Sequence, residues 1–314
     1  MKALITGGMG YLGGCLAQHL ATRTGFEIAL GTRQTAVNID WLPQATVFQI
    51  NWNHPNDIRK VCVGIDTVIH AAGMNADDCS ADPVEALAFN GVVTARLLHE
   101  AIRQGVRRFL YISTAHVYGS PLVDTITEET CPVNLHPYAS SHRAGEDAVL
   151  AAHQRGEIEG IVIRISNAFG PPVRKEVKCW HLLINDLCRQ AVSTGEMVLR
   201  SSGLQRRDFI TMTDTCRAIE HLIQLPSEKI IKGLFNLGSE WSPTLWDVAC
   251  LIRNCHATLT GEQPIQLSRK ESFPGERILP LKYSIDRLRQ TGFEITGSIN
   301  DEIKTLIRFC QEQF

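Results

Sequence analysis

Residues Lys2 to Leu20 read KALITGGMGYLGGCLAQHL. Ala3 to Ile5 make a short apolar run of strand type that opens directly into Thr6-Gly7-Gly8-Met9-Gly10-Tyr11-Leu12-Gly13. Beyond the glycines, Cys15, Leu16 and Leu20 continue at helical spacing, so the stretch reads as strand, glycine turn and helix. Each glycine then has its own task. Gly7 permits the tight turn, Gly10 lets a pyrophosphate approach the backbone at the positive end of the helix, and Gly13 lets the helix pack closely on the strand. The alternative is an ordinary glycine-rich turn between a strand and a helix. Placement at the start of the chain, with the right elements on both sides, points instead to a dinucleotide-binding turn.

Outward from that stretch, FEIALGTR (Phe26 to Arg33) reads as a second strand, ATVFQI as a third and DTVIHAAG (Asp66 to Gly73) as a fourth. The fourth leads into a helix, DPVEALAFNGVVTARLLHEAIRQG, and then into a further strand, RRFLYISTAHVYG. Strands alternating with helices over the first 170 residues or so imply an α/β fold, a Rossmann-type doubly wound parallel sheet with right-handed crossovers. The second strand ends in Thr32 and Arg33, where an acid would bind the free ribose 2′-hydroxyl of NAD and an arginine can accommodate the 2′-phosphate of NADP. With no acid present, NADP is the expected cofactor and NAD the alternative.

Composition limits the function classes. The chain has 314 residues, 44% hydrophobic and 20% charged, enough for a large core, and its formal net charge is −2. That charge, with no basic run, gives nothing to attract nucleic acid or an anionic membrane. MKALITGGMG turns glycine-rich too soon for a secretory leader and no segment has the apolar length of a membrane span, so a cytoplasmic location is expected. Ten cysteines without CxxC or zinc-type spacing read as reduced thiols, with no metal implied.

With TGGMGYLG, DTVIHAAG, STAHVYG, PYASSH, RISNAFGPP and RRDFITMTD in this order, the chain resembles the extended short-chain dehydrogenase/reductases of the nucleotide-sugar epimerase/dehydratase family. The resemblance spans almost the whole chain. It implies a dinucleotide-binding domain over residues 1–170, with 201–231 returning to it, and a smaller C-terminal substrate-binding domain from 171–200 and 232–314. It also implies roles. Tyr138 falls at the catalytic tyrosine, Thr114 at the catalytic Ser/Thr and His142 at the usual lysine, while Asn90 supports the active-site helix. The cofactor set would be Gly7, Gly10, Tyr11, Leu12, Gly13, Arg33, Ala71, Ala72 and Gly73 with Tyr138 and His142. Asn167 would contact the nucleotide-sugar, Phe169 and Pro171 would line the nicotinamide pocket, and Arg207 would pair with the substrate diphosphate, a surface ion pair with Asp208 being the plainer reading. Trp180 and His181, at the edge of the helical stretch KCWHLLINDLCRQAV, would meet nucleotide or sugar. The family's later arginine is replaced by Phe273, with Arg269, Lys270 and Arg277 near enough in sequence to substitute. A homodimer is implied through the helices that begin near Asp82 and Tyr138.

The chemistry explains the residue types. Hydride transfer at a sugar carbon requires a proton to move on the adjacent oxygen, and Tyr138 would be the acid or base, with Thr114 fixing that oxygen. Sugar 4,6-dehydratases of the family carry an Asp-Glu pair after the catalytic threonine; here these positions are Ala115 and His116, which argues against simple 4,6-dehydration. His116 has the place and pKa range to move a proton on the sugar ring, with His181 as a second acid/base. His142, lacking lysine's permanent charge, should leave Tyr138 a poorer base, and a nearby phenolate should raise the histidine's own pKa. The expected function is an NAD(P)-dependent oxidoreductase that epimerises or keto-reduces a nucleotide-linked sugar at a ring carbon. The alternative is a catalytically impaired nucleotide-sugar or dinucleotide-binding protein of the same fold.

Overall fold

A computed structural model describes residues 1–35 and 39–314. The chain divides into two compact units. The first comprises Met1–Gly119, Cys131–Ile165 and Ala218–Asn236; the second comprises Ser120–Thr130, Ser166–Arg217 and Leu237–Phe314.

Among the described residues the first unit is built on one sheet of seven strands: β1 (Lys2–Thr6), β2 (Glu27–Thr32), β3 (Thr46–Gln49), β4 (Thr67–His70), β5 (Arg108–Thr114), β6 (Glu159–Ile165) and β7 (Leu234–Leu237). Their spatial order is β7-β6-β5-β4-β1-β2-β3. Pairing is parallel, with Leu4 opposite both Ala29 and Val68. All four residues of β4 and six of seven in β5 are buried, the near-continuous burial expected of a parallel sheet covered on both faces. The core joins Leu4, Val68, Phe109 and Val162 to Ile58 of helix α2 (Pro55–Cys62) and Leu97 of helix α3 (Thr94–Arg103). The strand order turns back between β1 and β4, so their carboxyl ends open at the switch point where ligands of such sheets sit. Thr6, Thr32, His70 and Thr114 are the last residues of β1, β2, β4 and β5.

The helix expected from Asp82 is interrupted. A short turn over Pro83–Ala86 widens into a π-helical segment, Leu87–Val93, before α3 begins. Helix α4 (Pro137–Gln154) approaches this wide turn closely. A Cβ at Gly91 would lie 3.1 Å from the Ala144 methyl, and one at Gly145 would lie 2.6 Å from the Asn90 carbonyl oxygen and 2.7 Å from the Tyr111 hydroxyl. Glycine at 145 is what allows the approach.

The second unit gathers Phe169, Leu187, Val248, Ile252, Ile303 and Leu306 into its own core around the helices Leu183–Ser193, Leu245–Thr260 and Ile299–Gln313. Its boundaries differ from the expectation in four places: residues 166–170 fall in this unit and 232–236 in the first, and two longer stretches also belong here. Residues 201–217 belong here rather than to the dinucleotide domain, because Phe209–Thr211 pairs with Asn167–Phe169 and the Asp208 carboxylate accepts the Ser239 amide at 3.1 Å. Residues 120–130 belong here because Asp124–Ile126 pairs with Leu281–Tyr283, a pairing without local sequence signal. Among the described residues no helix is long and apolar enough to cross a membrane.

Candidate active site

The glycine turn has the geometry that a dinucleotide needs. Gly7 is left-handed at φ +71°, and a Cβ there would stand 2.8 Å from the backbone of Ala71 and Ala72, so the turn after β1 lies against the end of β4. A Cβ at Gly13 would fall 2.3 Å from the Gly7 carbonyl oxygen, so only glycine lets helix α1 (Tyr11–Ala21) sit this close. Gly10 is the N-cap of α1, no side chain caps that end, and its first turn, which holds Tyr11, Leu12 and Gly13, has no acid. A helix terminus in that state suits phosphate. At the end of β2, Arg33 is exposed, its guanidinium 5.3 Å from the centre of the Phe89 ring, and it lines a cleft of about 510 Å³ with Asn51, Asn53, Glu85 and Arg96. Arg96 carries the same charge as Arg33 into this cleft; it sits in the first turn of α3 with no motif around it, so the sequence alone does not single it out.

Tyr138, at the start of α4, is half-buried, and its ring meets two imidazoles edge-on: His142 at 4.7 Å and His116 at 6.4 Å between centroids. One helical turn separates 138 and 142, which accounts for the first contact. Burial raises the phenol's pKa above its ordinary value, and a hydrogen bond with the Thr114 hydroxyl pulls the other way. Thr114 also accepts the His116 backbone amide at 3.1 Å, so it caps the short turn Ala115–Val117 while it touches Tyr138. His142 differs from the expectation of a raised pKa: burial lowers it to about 4, and the imidazole is neutral at pH 7. Its Nδ1 lies 3.0 Å from the Tyr111 hydroxyl, and its Nε2 would be 3.7 Å from a Cβ on Gly73. Asn90 ties these parts together, accepting the Met74 amide at 2.9 Å and donating to the Ser141 hydroxyl on α4 at 3.0 Å. One turn further along α4, Glu146 forms a buried ion pair with Arg164 of β6 at 2.6 Å and accepts the Ser113 hydroxyl of β5. Glu146 and Tyr111, like Arg96, lie outside the motifs named above, whereas Arg164 and Ser113 open two of them.

In the second unit Arg207 does not pair with Asp208. Its nearest partner is Gln205 at 3.4 Å, its Nε is buried without a partner, and burial lowers its pKa. Asp208 is itself buried, bonded to Ser239, and pushed up to about 7. Arg207 lines a cavity of about 640 Å³ together with Leu122, Phe273, Glu276 and Arg277. With Arg206, Arg207 and Arg277 on its wall against the one carboxylate of Glu276, the cavity fits an anionic ligand. Asn167 donates to the Asp208 carbonyl at 2.7 Å. Trp180 precedes the helix Leu183–Ser193, stacks on Phe309 at 6.1 Å and donates to the Lys175 carbonyl, while His181 is exposed. Phe169 departs from the expectation: its ring is only 1% exposed and belongs to the core of this unit, because Asn167–Phe169 is a strand whose last side chain points inward.

A model of the NAD dependent epimerase/dehydratase family matches residues 3–238. The chain is 24% identical over 266 residues to UDP-glucuronic acid decarboxylase 4 of Arabidopsis thaliana, covering 81% of this chain but 57% of that protein. It is 26% identical over 297 residues to a dTDP-glucose 4,6-dehydratase of Neisseria gonorrhoeae, covering 85% of this chain and 81% of that protein. Among solved structures, UDP-glucuronic acid 4-epimerase from Bacillus cereus, in complex with UDP-glucuronic acid and NAD, superposes with a TM-score of 0.83 at 22% identity, covering 100% of both chains.

Proposed function

Since the chain belongs to the NAD-dependent epimerase/dehydratase family, we propose that it is an NAD(P)-dependent enzyme that epimerises or keto-reduces a nucleotide-linked sugar by hydride transfer at a ring carbon. The observation that carries the reading is Tyr138, a phenol hydrogen-bonded by Thr114 and flanked edge-on by His142 and His116. A nicotinamide cofactor held at the glycine turn of Gly7, Gly10 and Gly13 would supply the acceptor or donor of a hydride for a carbinol carbon or a ketone. The chain's own residues handle the proton. Tyr138 gives it to, or takes it from, the sugar oxygen, and its raised pKa keeps it protonated at pH 7, so that it is a poorer base while the proton it donates is in place, which favours the reductive direction. Thr114 fixes the phenol, and His142 stands where a neutral donor can reach the cofactor ribose. His116 is the candidate for moving a ring proton. Although two of the relatives named above are a decarboxylase and a 4,6-dehydratase, Ala115 and His116 replace the dehydratases' Asp-Glu pair and favour epimerisation or reduction. The buried, partnerless Nε of half-buried Arg207 supports a nucleotide diphosphate as the anionic part of the substrate.

Arg33 and Arg96 on one cleft support NADP over NAD, since two cations can hold a 2′-phosphate against the single Glu85 carboxylate. Val84, Leu87 and Val92, exposed on one stretch of the segment after Asp82, support a homodimer, and free cysteines throughout support a cytoplasmic setting. The test is a panel of nucleotide sugars run with NAD and NADP separately, with products read by mass spectrometry and NMR. Turnover that Tyr138→Phe abolishes supports the reading; full activity of Tyr138→Phe overturns the mechanism, and binding without turnover favours the impaired-protein alternative. Equal affinity of the unmodified protein for both cofactors, or NADP binding unchanged in Arg33→Asp, overturns the cofactor preference.

A further inference from the structure

We propose that Tyr111 is a positioning residue that holds His142 in the Nε2–H form, so that a neutral imidazole presents the hydrogen-bond donor that a lysine would present at this place. The inference rests on the reading of His142 as a cofactor-side residue.

Proton counting decides the tautomer. Tyr111 has one hydroxyl proton and three groups within reach, His142 Nδ1 at 3.0 Å, the Asn90 carbonyl at 3.3 Å and the Thr94 hydroxyl. That carbonyl already receives the Thr94 hydroxyl at 2.7 Å. With its proton committed there, Thr94 can only accept from His70 Nε2, 3.0 Å away, and His70 Nδ1 in turn accepts the Thr6 hydroxyl at 2.6 Å. Every proton in the chain from Thr6 to Asn90 is therefore placed without the phenol's; Thr94 has none left to give Tyr111, and its hydroxyl oxygen is a weaker acceptor for the phenol's proton than an imidazole nitrogen. An O–H···O contact of 3.3 Å is also long against the usual length of about 2.7–2.8 Å for such bonds, whereas 3.0 Å is ordinary with a nitrogen acceptor. The Tyr111 proton accordingly goes to Nδ1, and the neutral ring keeps its own proton on Nε2. Nε2 lies on the Gly73 side, where a Cβ would stand 3.7 Å from it.

The phenol is held rigidly. Tyr111 is 1% exposed, stacks on His70 with ring centroids 5.7 Å apart, and is pressed by the backbone of Gly145. Burial keeps its pKa well above the ordinary tyrosine value, so the donor does not ionise. A fixed donor on Nδ1 sets which nitrogen is protonated, the usual means by which a partner dictates a histidine's role.

The experiment has two arms. Histidine-selective ¹⁵N labelling, with His142→Gln to assign the signals, should show a protonated Nε2 and a bare Nδ1 at His142 in the unmodified protein, with the Nε2–H form depleted in Tyr111→Phe. A protonated Nδ1 and bare Nε2 in the unmodified protein would overturn the proposal without need of any further variant. Titration with NADP, and separately NAD, of the unmodified protein, Tyr111→Phe, His142→Lys and the double variant forms the second arm. Loss of the Tyr111 hydroxyl should weaken binding about tenfold where His142 is kept, the worth of one hydrogen bond. In the His142→Lys background the loss should be less than about twofold, because an ammonium needs no tautomer set. Equal losses in both backgrounds would assign Tyr111 a structural role only and overturn the proposal. If no protein of the four binds either dinucleotide, the functional reading fails, and the NMR arm still decides the role of Tyr111.

Discussion

Replacing His142 by lysine should turn a reduction-biased site into a better oxidation catalyst, and the size of the change can be worked from the geometry. His142 titrates at about 4, so at pH 7 only about one imidazole in a thousand is charged and Tyr138 has no fixed cation beside it. Burial has moved this group from 6.5 to about 4. A similar penalty would bring a lysine from about 10.4 to about 8, still cationic at pH 7. With the two rings 4.7 Å apart, the new ammonium would stand about 5 Å from the phenol, worth about 3 kcal/mol at an effective dielectric of about 20, or about two pKa units on Tyr138. The sign follows from which form is the base. Oxidation needs the phenolate, so a lower pKa makes the active form appear at lower pH, whereas reduction uses the phenol already present. In kcat/KM for oxidation of a nucleotide sugar, followed by NMR of the product, the pH of half-maximal rate should fall by about two units and the rate at pH 7 should rise by up to about a hundredfold. A folded, cofactor-binding His142→Lys protein whose profile moves by less than about half a unit would refute the electrostatic reasoning.

Three further outcomes are expected. His116→Ala should abolish incorporation of solvent deuterium into the sugar while cofactor affinity is kept; unchanged incorporation, or none in the unmodified protein, counts against a proton-moving role for His116. Glu146→Gln leaves the Arg164 guanidinium buried without its carboxylate and should cost about 3–5 kcal/mol in urea unfolding, the penalty of breaking a buried pair, and a loss under about 1 kcal/mol would contradict that account. Stability should also depend on pH: His142 binds a proton at about 4 when folded and at 6.5 when unfolded, so its contribution is whole above 6.5 and falls by about 3 kcal/mol as the pH drops to 4. Buried His70, lowered to about 3, acts in the same direction, and a urea midpoint that stays level from pH 7 to 4 would refute the prediction.

Short-range periodicity accounts for what was legible in the residues alone. Apolar runs alternating with helical spacing define the sheet, the glycines at 7, 10 and 13 define the turn after β1, and Tyr138 and His142 four residues apart on one helix already place phenol and imidazole on one face. These relations survive because each depends only on residues a few positions away. The remainder is a property of tertiary contacts. The partner of His142 is Tyr111, 31 residues distant on a strand, and it meets the histidine only because β5 lies under α4 and position 145 lacks a side chain. The charge of His142 was likewise open, since a lone imidazole titrates near neutrality and only enclosure by β5, α4 and the π-helical turn brings it to about 4. Arg207 and Asp208 are adjacent in sequence, yet the strand they precede sends one side chain to a cavity and the other to Ser239, so adjacency did not make an ion pair. Protonation and pairing depend on which distant groups exclude water or supply a hydrogen bond, and a local pattern carries no record of them.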